Sequence, residues 1–229
     1  MNSSHEKDFS KIGALCAIIG SSITLIANLF HPKDFIPYDS ATHLKSIASD
    51  QSWGVDHFAF LVAGAIVFWG LLAISDALAK TSEGSLLTLA TYSAIIGTVI
   101  LACFFVIDGY GMKAASDLWL NAPATETTSA LYAALLMSKL GLAFGSAYFF
   151  WYLGLMPLLY GILIIRGGTF PKWIGITAIL GSLLGVLASG GFFLFPYNTA
   201  SLLFFIGAQA MVSIWSICAG VVLYRHPSA

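Results

Sequence analysis

The sequence predicts an all-α bundle of six transmembrane helices that forms one domain over residues 1–229. Three observations support this fold class. Apolar residues make up 58% of the chain and charged residues 9%, whereas soluble domains have about 45–50% and about 25%. Six apolar runs are each about as long as the roughly 20 residues that cross the hydrocarbon core. Lipid offers backbone groups no hydrogen-bond partner, and the runs lack the alternation of a membrane barrel, so each run is predicted to be a helix.

The predicted spans are joined by short turns on one side of the membrane and by two longer loops on the other. They cover about residues 12–30, 57–79, 85–107, 141–165, 173–194 and 199–224. The first span has basic residues before it but no small-x-small cleavage site after it. We therefore interpret it as a retained helix and not as a signal peptide.

The distribution of basic residues predicts that both termini are cytoplasmic. With Lys139 set aside, one side of the bundle holds six Lys or Arg residues and the other holds three. The six are Lys7, Lys11, Lys80, Arg166, Lys172 and Arg225, and the three are Lys33, Lys45 and Lys113. The positive-inside rule assigns the richer side to the cytoplasm. This predicts a multi-pass protein of the plasma (inner) membrane.

Two predicted outer loops, residues 31–56 and 108–130, carry most of the polar residues. In the first loop, apolar residues recur at helical spacing at Ala41, Leu44, Ile47 and Ala48. This pattern predicts a short helix that lies on the membrane interface.

The fourth helix is predicted to be unusually long. No proline or polar cluster interrupts residues 131–166 before Pro157. A helix of about 35 residues exceeds the hydrocarbon thickness by several turns, so we expect it to project outward. Pro157 lacks a backbone N–H, which predicts a kink near this residue.

Polar residues at the outer ends of the helices form the candidate ligand-binding site. They are His31, Asp56, His57, Asp108, Tyr110 and Lys139. Counted from the inner helix ends, they lie at similar heights of about 30–40 Å. Imidazole and carboxylate groups in such a place suit ligand capture or proton relay. Each residue also has a structural explanation, for example Asp56 as a helix N-cap and Lys139 as a snorkelling cation.

His31, His57 and Asp108 are also a candidate metal-ligand set, because catalytic zinc sites use three protein ligands and an open position. No His-x-x-x-His or His-Glu pair on a helix sharpens this hypothesis. The prediction is therefore no metal, and the catalytic residues and any cofactor stay open.

Three functions from different classes stay open. The first is binding, or translocation, of a small or lipophilic ligand in a cavity open to the outer face. The second is an accessory or scaffold subunit, and the third is a metal-dependent membrane-embedded hydrolase. The formal net charge of −1 indicates no nucleic-acid partner. Besides lipid, a second copy or another membrane subunit is a candidate partner through the small-residue faces Gly141/Gly145 and Gly181/Gly185.

The segment YGILIIRGGTFPKWIG, residues 160–175, resembles a family of small bacterial multi-helix membrane proteins known only as a domain of unknown function. Members carry a Tyr-Gly near the end of the fourth helix and then an Arg, a Gly, a Pro and a basic residue. The matching residues here are Arg166, Gly168, Pro171 and Lys172. The family often has Ser or Thr at the position of Gly167. The resemblance implies the multi-helix architecture and no particular activity.

Overall fold

The structure, a computed structural model, describes residues 3–31, 40–81, 84–195 and 198–227. Within these ranges every regular element is helical, and two elements are π-helical. In chain order they are α1 (Ser3–Phe30), α2 (Ser40–Ser49), α3 (Trp53–Ala79), α4 (Ser85–Phe105), π1 (Val106–Gly111), α5 (Met112–Leu120), α6 (Thr127–Tyr148), π2 (Phe149–Leu155), α7 (Met156–Gly167), α8 (Lys172–Leu194) and α9 (Thr199–Arg225).

Six helical stretches in the described part of the chain are long and apolar enough to cross a membrane. They are Lys7–Phe30, Trp53–Ala79, Ser85–Leu120, Thr127–Gly167, Lys172–Leu194 and Thr199–Arg225. The predicted all-α, six-helix membrane architecture is therefore confirmed. The turns after α3 and α7 meet at one end of the bundle, where the Thr81 and Thr169 hydroxyls are 2.6 Å apart. The cytoplasmic location of that end stays a prediction.

The third stretch differs from the prediction. Residues 108–120 were expected in an outer loop, but α4, π1 and α5 run without a break to Leu120. Gly109 and Gly111 do not form a turn, because the chain passes through them as a π-helix. A Cβ on Gly109 would collide with the Cβ of His57. Glycine thus lets π1 lie directly against α3.

The fourth stretch is continuous from Thr127 to Gly167, so the long fourth helix is confirmed. Its irregularity lies before Pro157, in π2, and Pro157 itself is in the first turn of α7. Proline removes one N–H from the hydrogen-bond ladder, and a π-turn is one of the ways in which a helix accommodates such a gap. The helix ends at Gly168, which has a φ of 76° in the left-handed region that glycine tolerates best. The kink itself stays a prediction.

The predicted short helix in the first loop is present as α2. Its apolar side faces protein: Leu44 and Ile47 are fully buried. Leu44 packs with Trp119 and Ala134, and Ile47 packs with Trp53. The apolar stripe is therefore used to cover the end of the bundle. A position at the membrane interface stays a prediction.

Small residues allow the helices to approach closely. A Cβ on Gly70 of α3 would lie 2.6 Å from the backbone nitrogen of Ala17 in α1. Three of the four glycines in the two faces singled out in the sequence, Gly145, Gly181 and Gly185, also contact other helices closely. Gly145 faces Phe104, and Gly185 would place a Cβ 2.5 Å from the Leu153 carbonyl oxygen. Close van der Waals packing of this kind holds the helices together, because lipid provides no hydrophobic driving force between them.

We predict that Gly70→Ala lowers the thermal unfolding midpoint of the purified protein, because the new methyl group overlaps the backbone of α1. Overpacking of this kind costs about 1–3 kcal/mol. Gly190→Ala is the matched control. It lies in α8 with no atom within 4 Å of the added Cβ, so helix propensity should leave its midpoint equal or higher. Equal midpoints for the two variants would contradict the close approach of α1 and α3.

Candidate functional site

The centre of the candidate site is a hydrogen-bonded pair between α3 and π1. His57 Nε2 lies 3.0 Å from Asp108 Oδ2, and the two side chains are only 1% and 17% exposed. A second bond fixes their relative position, since Trp53 Nε1 donates to the Asp108 backbone carbonyl at 2.8 Å. The π-helical turn directs Asp108 toward α3, and Gly109 allows the close approach. The imidazole is thus held through both ring nitrogens, and residue 108 is held through its carboxylate and its backbone carbonyl.

The hydrogen bonds of His57 define how many protons the pair carries. His57 Nδ1 is 2.7 Å from the Trp53 carbonyl oxygen, which can only accept, so Nδ1 must bear a hydrogen. The contact between Nε2 and Asp108 then needs one further proton, carried by either partner. Imidazolium with carboxylate and imidazole with carboxylic acid are both neutral overall. The pair therefore adds no net charge to the site.

Two further histidines surround this pair. The His31 ring, at the end of α1, is centred 5.0 Å from the His57 ring and 5.4 Å from Trp53. His43 of α2 approaches Trp53 from another side, with the ring centres 6.3 Å apart. Burial lowers the pKa of His43 below its ordinary value, and the negative charge of Asp108 opposes this only in part. His43 is therefore neutral at pH 7.

A cavity of about 310 Å³ opens beside these residues. Its polar end is formed by Asn28, His31, His43, Ser46, Asp108 and Ser138. Its longer wall is apolar and aromatic, and includes Phe104, Phe105, Phe149, Phe192, Leu202 and Phe205. The lining also includes Gln209, whose side-chain oxygen accepts a 2.6 Å hydrogen bond from the Tyr148 hydroxyl. The pocket thus combines a cluster of polar side chains, a larger aromatic set and the Gln209 amide.

Both π-helical segments contribute to this cavity, π1 through Asp108 and π2 through Phe149. A π-turn inserts one extra residue into a helix and is found frequently at functional sites. Here the two segments face the same space from different helices. The irregular backbone is thus concentrated at the cavity wall.

The structure brings together three of the six predicted site residues. His31 and Asp108 line the cavity, and His57 lies behind Asp108 without lining it. The other three do not line it. Asp56 accepts a 3.1 Å hydrogen bond from the Ser52 hydroxyl, and the Tyr110 side chain is 78% exposed. Lys139 is exposed on α6.

Sequence reasoning missed several residues of the cavity. His43 and Ser46 lie three positions apart on α2, beside the apolar stripe, and this spacing could have indicated a polar edge directed at the bundle. Trp53 was not among the predicted site residues, yet it is only 4% exposed and stacks on His57 with ring centres 4.5 Å apart. The sequence did not indicate the aromatic wall of the cavity, because phenylalanine is equally common on lipid-facing surfaces.

The metal hypothesis receives no support from the geometry. Among residues 3–31, 40–81, 84–195 and 198–227, no three His, Cys, Asp or Glu side chains are arranged to hold a metal ion. Both ring nitrogens of His57 are also in hydrogen bonds, and a metal would have to displace one of these. No step is therefore assigned to a metal.

We predict that His57 and Asp108 are energetically coupled. His57→Leu leaves the largely buried Asp108 carboxyl without this hydrogen-bond partner, which costs about 1–3 kcal/mol. Adding Asp108→Leu to that variant removes the stranded group, so the double variant should be more stable than the sum of the single losses implies. Unfolding midpoints of the four proteins measure the coupling. Additive losses would show that the pair does not act as a unit.

We also predict that His43 makes stability depend on pH. Its folded pKa is lowered, so below about pH 6.5, the unfolded value, the unfolded chain binds the proton more readily. The free energy of unfolding should then decrease as the pH is lowered, and more steeply in the wild type than in His43→Gln. Thermal midpoints of both proteins between pH 8 and pH 5 test this. Parallel pH profiles would contradict a neutral, half-buried His43.

Comparison with known proteins found no matching family model, no similar curated protein and no similar solved structure. The resemblance of residues 160–175 to a family of unknown function therefore stays a prediction. The function is argued below from the geometry of the site.

Proposed function

We propose that this membrane protein binds a small lipophilic molecule with an uncharged polar head group. The observation that carries the proposal is the cavity of about 310 Å³, whose lining combines a cluster of hydrogen-bonding groups with a larger set of aromatic and apolar residues. Pockets of about 300–1,000 Å³, mostly apolar with a few convergent polar groups, are typical of small-molecule sites. The cavity therefore suits an amphiphilic ligand of modest size.

The charge of the polar end favours a neutral head group. Asp108 is the one Asp, Glu, Lys or Arg among the described residues that line the cavity. Its carboxyl shares a proton with His57, so the pair is neutral, and His43 is neutral at pH 7. The His57–Asp108 pair and His43 offer an ionised head group no opposite net charge, and the head group would lose its hydration. A hydroxyl or carbonyl group, in contrast, can exchange hydrogen bonds with Asp108, Ser46 or a histidine.

The aromatic wall supports an apolar body for the ligand. Phe149 packs against Phe205 with ring centres 4.5 Å apart and against Phe192 at 5.4 Å. Phe104 stacks on Tyr148 at 5.5 Å. Aromatic rings in such arrays present large apolar faces with few rotatable bonds. A hydrocarbon chain or ring along this wall would be removed from water at a gain of about 25 cal/mol per Å².

The two alternative functions have less support. A scaffold subunit was suggested by the faces Gly141/Gly145 and Gly181/Gly185, and these four glycines are buried within the chain. A metal-dependent hydrolase would need free ligand atoms, and His57 has none on its ring. Ligand binding, in contrast, requires no rearrangement of the cavity or of the His57–Asp108 pair.

The test is a binding assay on purified, delipidated protein in detergent. The probes share one alkyl chain and end in a primary alcohol, a methyl ketone, a carboxylate or a trimethylammonium group. Trp53 lines the cavity, so quenching of its fluorescence reports occupancy. The alcohol and the ketone should bind at least tenfold more tightly than both charged probes. Equal binding of all four, or preference for a charged probe, would refute the proposed head-group class.

Gly141→Leu provides the site-specific variant. The nearest atoms to an added Cβ at Gly141 are the Met112 sulfur and Asp108 Oδ1, at 3.7 and 3.8 Å, so leucine enters the cavity without an initial clash. Its affinity for the alcohol should fall at least tenfold. Gly190→Leu adds the same atoms in open space and should bind like the wild type. Similar losses in both variants would show that the probe only partitions onto the surface of the protein.

A further inference from the structure

A second and much smaller cavity lies deeper in the bundle. Its volume is about 20 Å³, and it shares Phe60, Phe105 and Gln209 with the wall of the larger cavity. Its polar lining comes from α1, α9, the last residue of α6 and the π2 segment. These residues include Thr24, Tyr152, Ser213, Trp215 and Ser216. A small space with several polar groups in its lining therefore adjoins the larger cavity at Gln209.

Two residues that line this cavity each carry a buried side-chain atom with unmet hydrogen-bonding capacity. Trp215 Nε1 and Ser216 Oγ are both buried, and within the described ranges neither has a protein partner. The Trp215 side chain is 0% exposed and Ser216 is 2% exposed. Burying such a group without a hydrogen bond costs about 1–3 kcal/mol. Two of them on one cavity point to a common partner within it.

The size and chemistry of the cavity identify this partner. One water molecule needs at least about 10–15 Å³ of such space and two to four polar neighbours. The indole N–H of Trp215 can only donate, whereas the hydroxyls of Ser213, Ser216 and Tyr152 can donate and accept. A larger polar ligand exceeds the volume, and an apolar one would leave the indole N–H unpaired.

We propose that the small cavity is a hydration site for one water molecule, which accepts a hydrogen bond from Trp215 Nε1 and bonds to Ser216 Oγ. The Gln209 side chain lies between this water and the larger cavity, with its oxygen held by Tyr148. The base of the larger cavity is then a hydrated hydrogen-bonded layer. This inference does not depend on the identity of any ligand.

A pair of serine variants tests the proposal through the sign of a stability change. If water satisfies Ser216, then Ser216→Ala loses that bond, and the thermal midpoint should fall by on the order of 3 °C. Ser182 is the matched control. Its Oγ is also buried without a partner in the described part of the chain, but it lines neither cavity. Ser182→Ala should leave the midpoint equal or higher, because it removes an unsatisfied group.

A second measurement uses the full-length protein without a change at the site. The indole nitrogens are labelled with ¹⁵N, and transfer of magnetisation from water to each indole proton is measured by NMR in detergent micelles. The Trp215 signal, identified by its loss in Trp215→Phe, should receive magnetisation from water although the side chain is fully buried. Absence of this transfer overturns the proposal, and so does a Ser216→Ala midpoint equal to or above that of the wild type.

Discussion

Hydrocarbon surrounds most of this chain, and it offers hydrogen-bonding groups no partner. The backbone meets this constraint by forming helices through the six spans. Polar side chains inside the bundle meet it by pairing across helices. His57 bonds to Asp108, Tyr148 bonds to Gln209, and the Tyr160 hydroxyl lies 2.5 Å from Ser75 Oγ. These pairs occur at successive depths and connect different helices, so the same constraint that dictates the helices also selects how they pack together.

Close packing and open space are distributed unequally in the bundle. Where α1 meets α3, glycine and alanine bring the backbones so close that one added methyl group does not fit. Around the larger cavity, aromatic rings from several helices hold the walls apart. The π segments belong to this second region, because each turns one residue toward the cavity that a regular α-helix would direct elsewhere. The end of the bundle covered by α2 is thus built differently from its centre.

Water and lipophilic ligand, as we propose them, would occupy adjoining spaces separated by Gln209. An amide is suited to this position, since its oxygen is held by Tyr148 while its nitrogen can donate to a neighbour on either side. A polar base also limits how far an apolar chain can enter, because such a chain cannot replace the hydrogen bonds of water. The depth of the larger cavity would then be set by hydrogen bonding as well as by shape.

Composition and periodicity alone determined the six helices and the long fourth helix, because hydrocarbon length and backbone hydrogen bonding leave few other solutions. They also placed His31, His57 and Asp108 at one height along the helix axes. Only the tertiary structure decided which side chains turn toward one another at that height. The π-turn that directs Asp108 toward His57 depends on the close contact of Gly109 with α3. The same turn leaves the Tyr110 side chain outside the cavity. The cavity, likewise, is a property of helices packed together, so no single span encodes His43, Phe149 and Gln209 as neighbours.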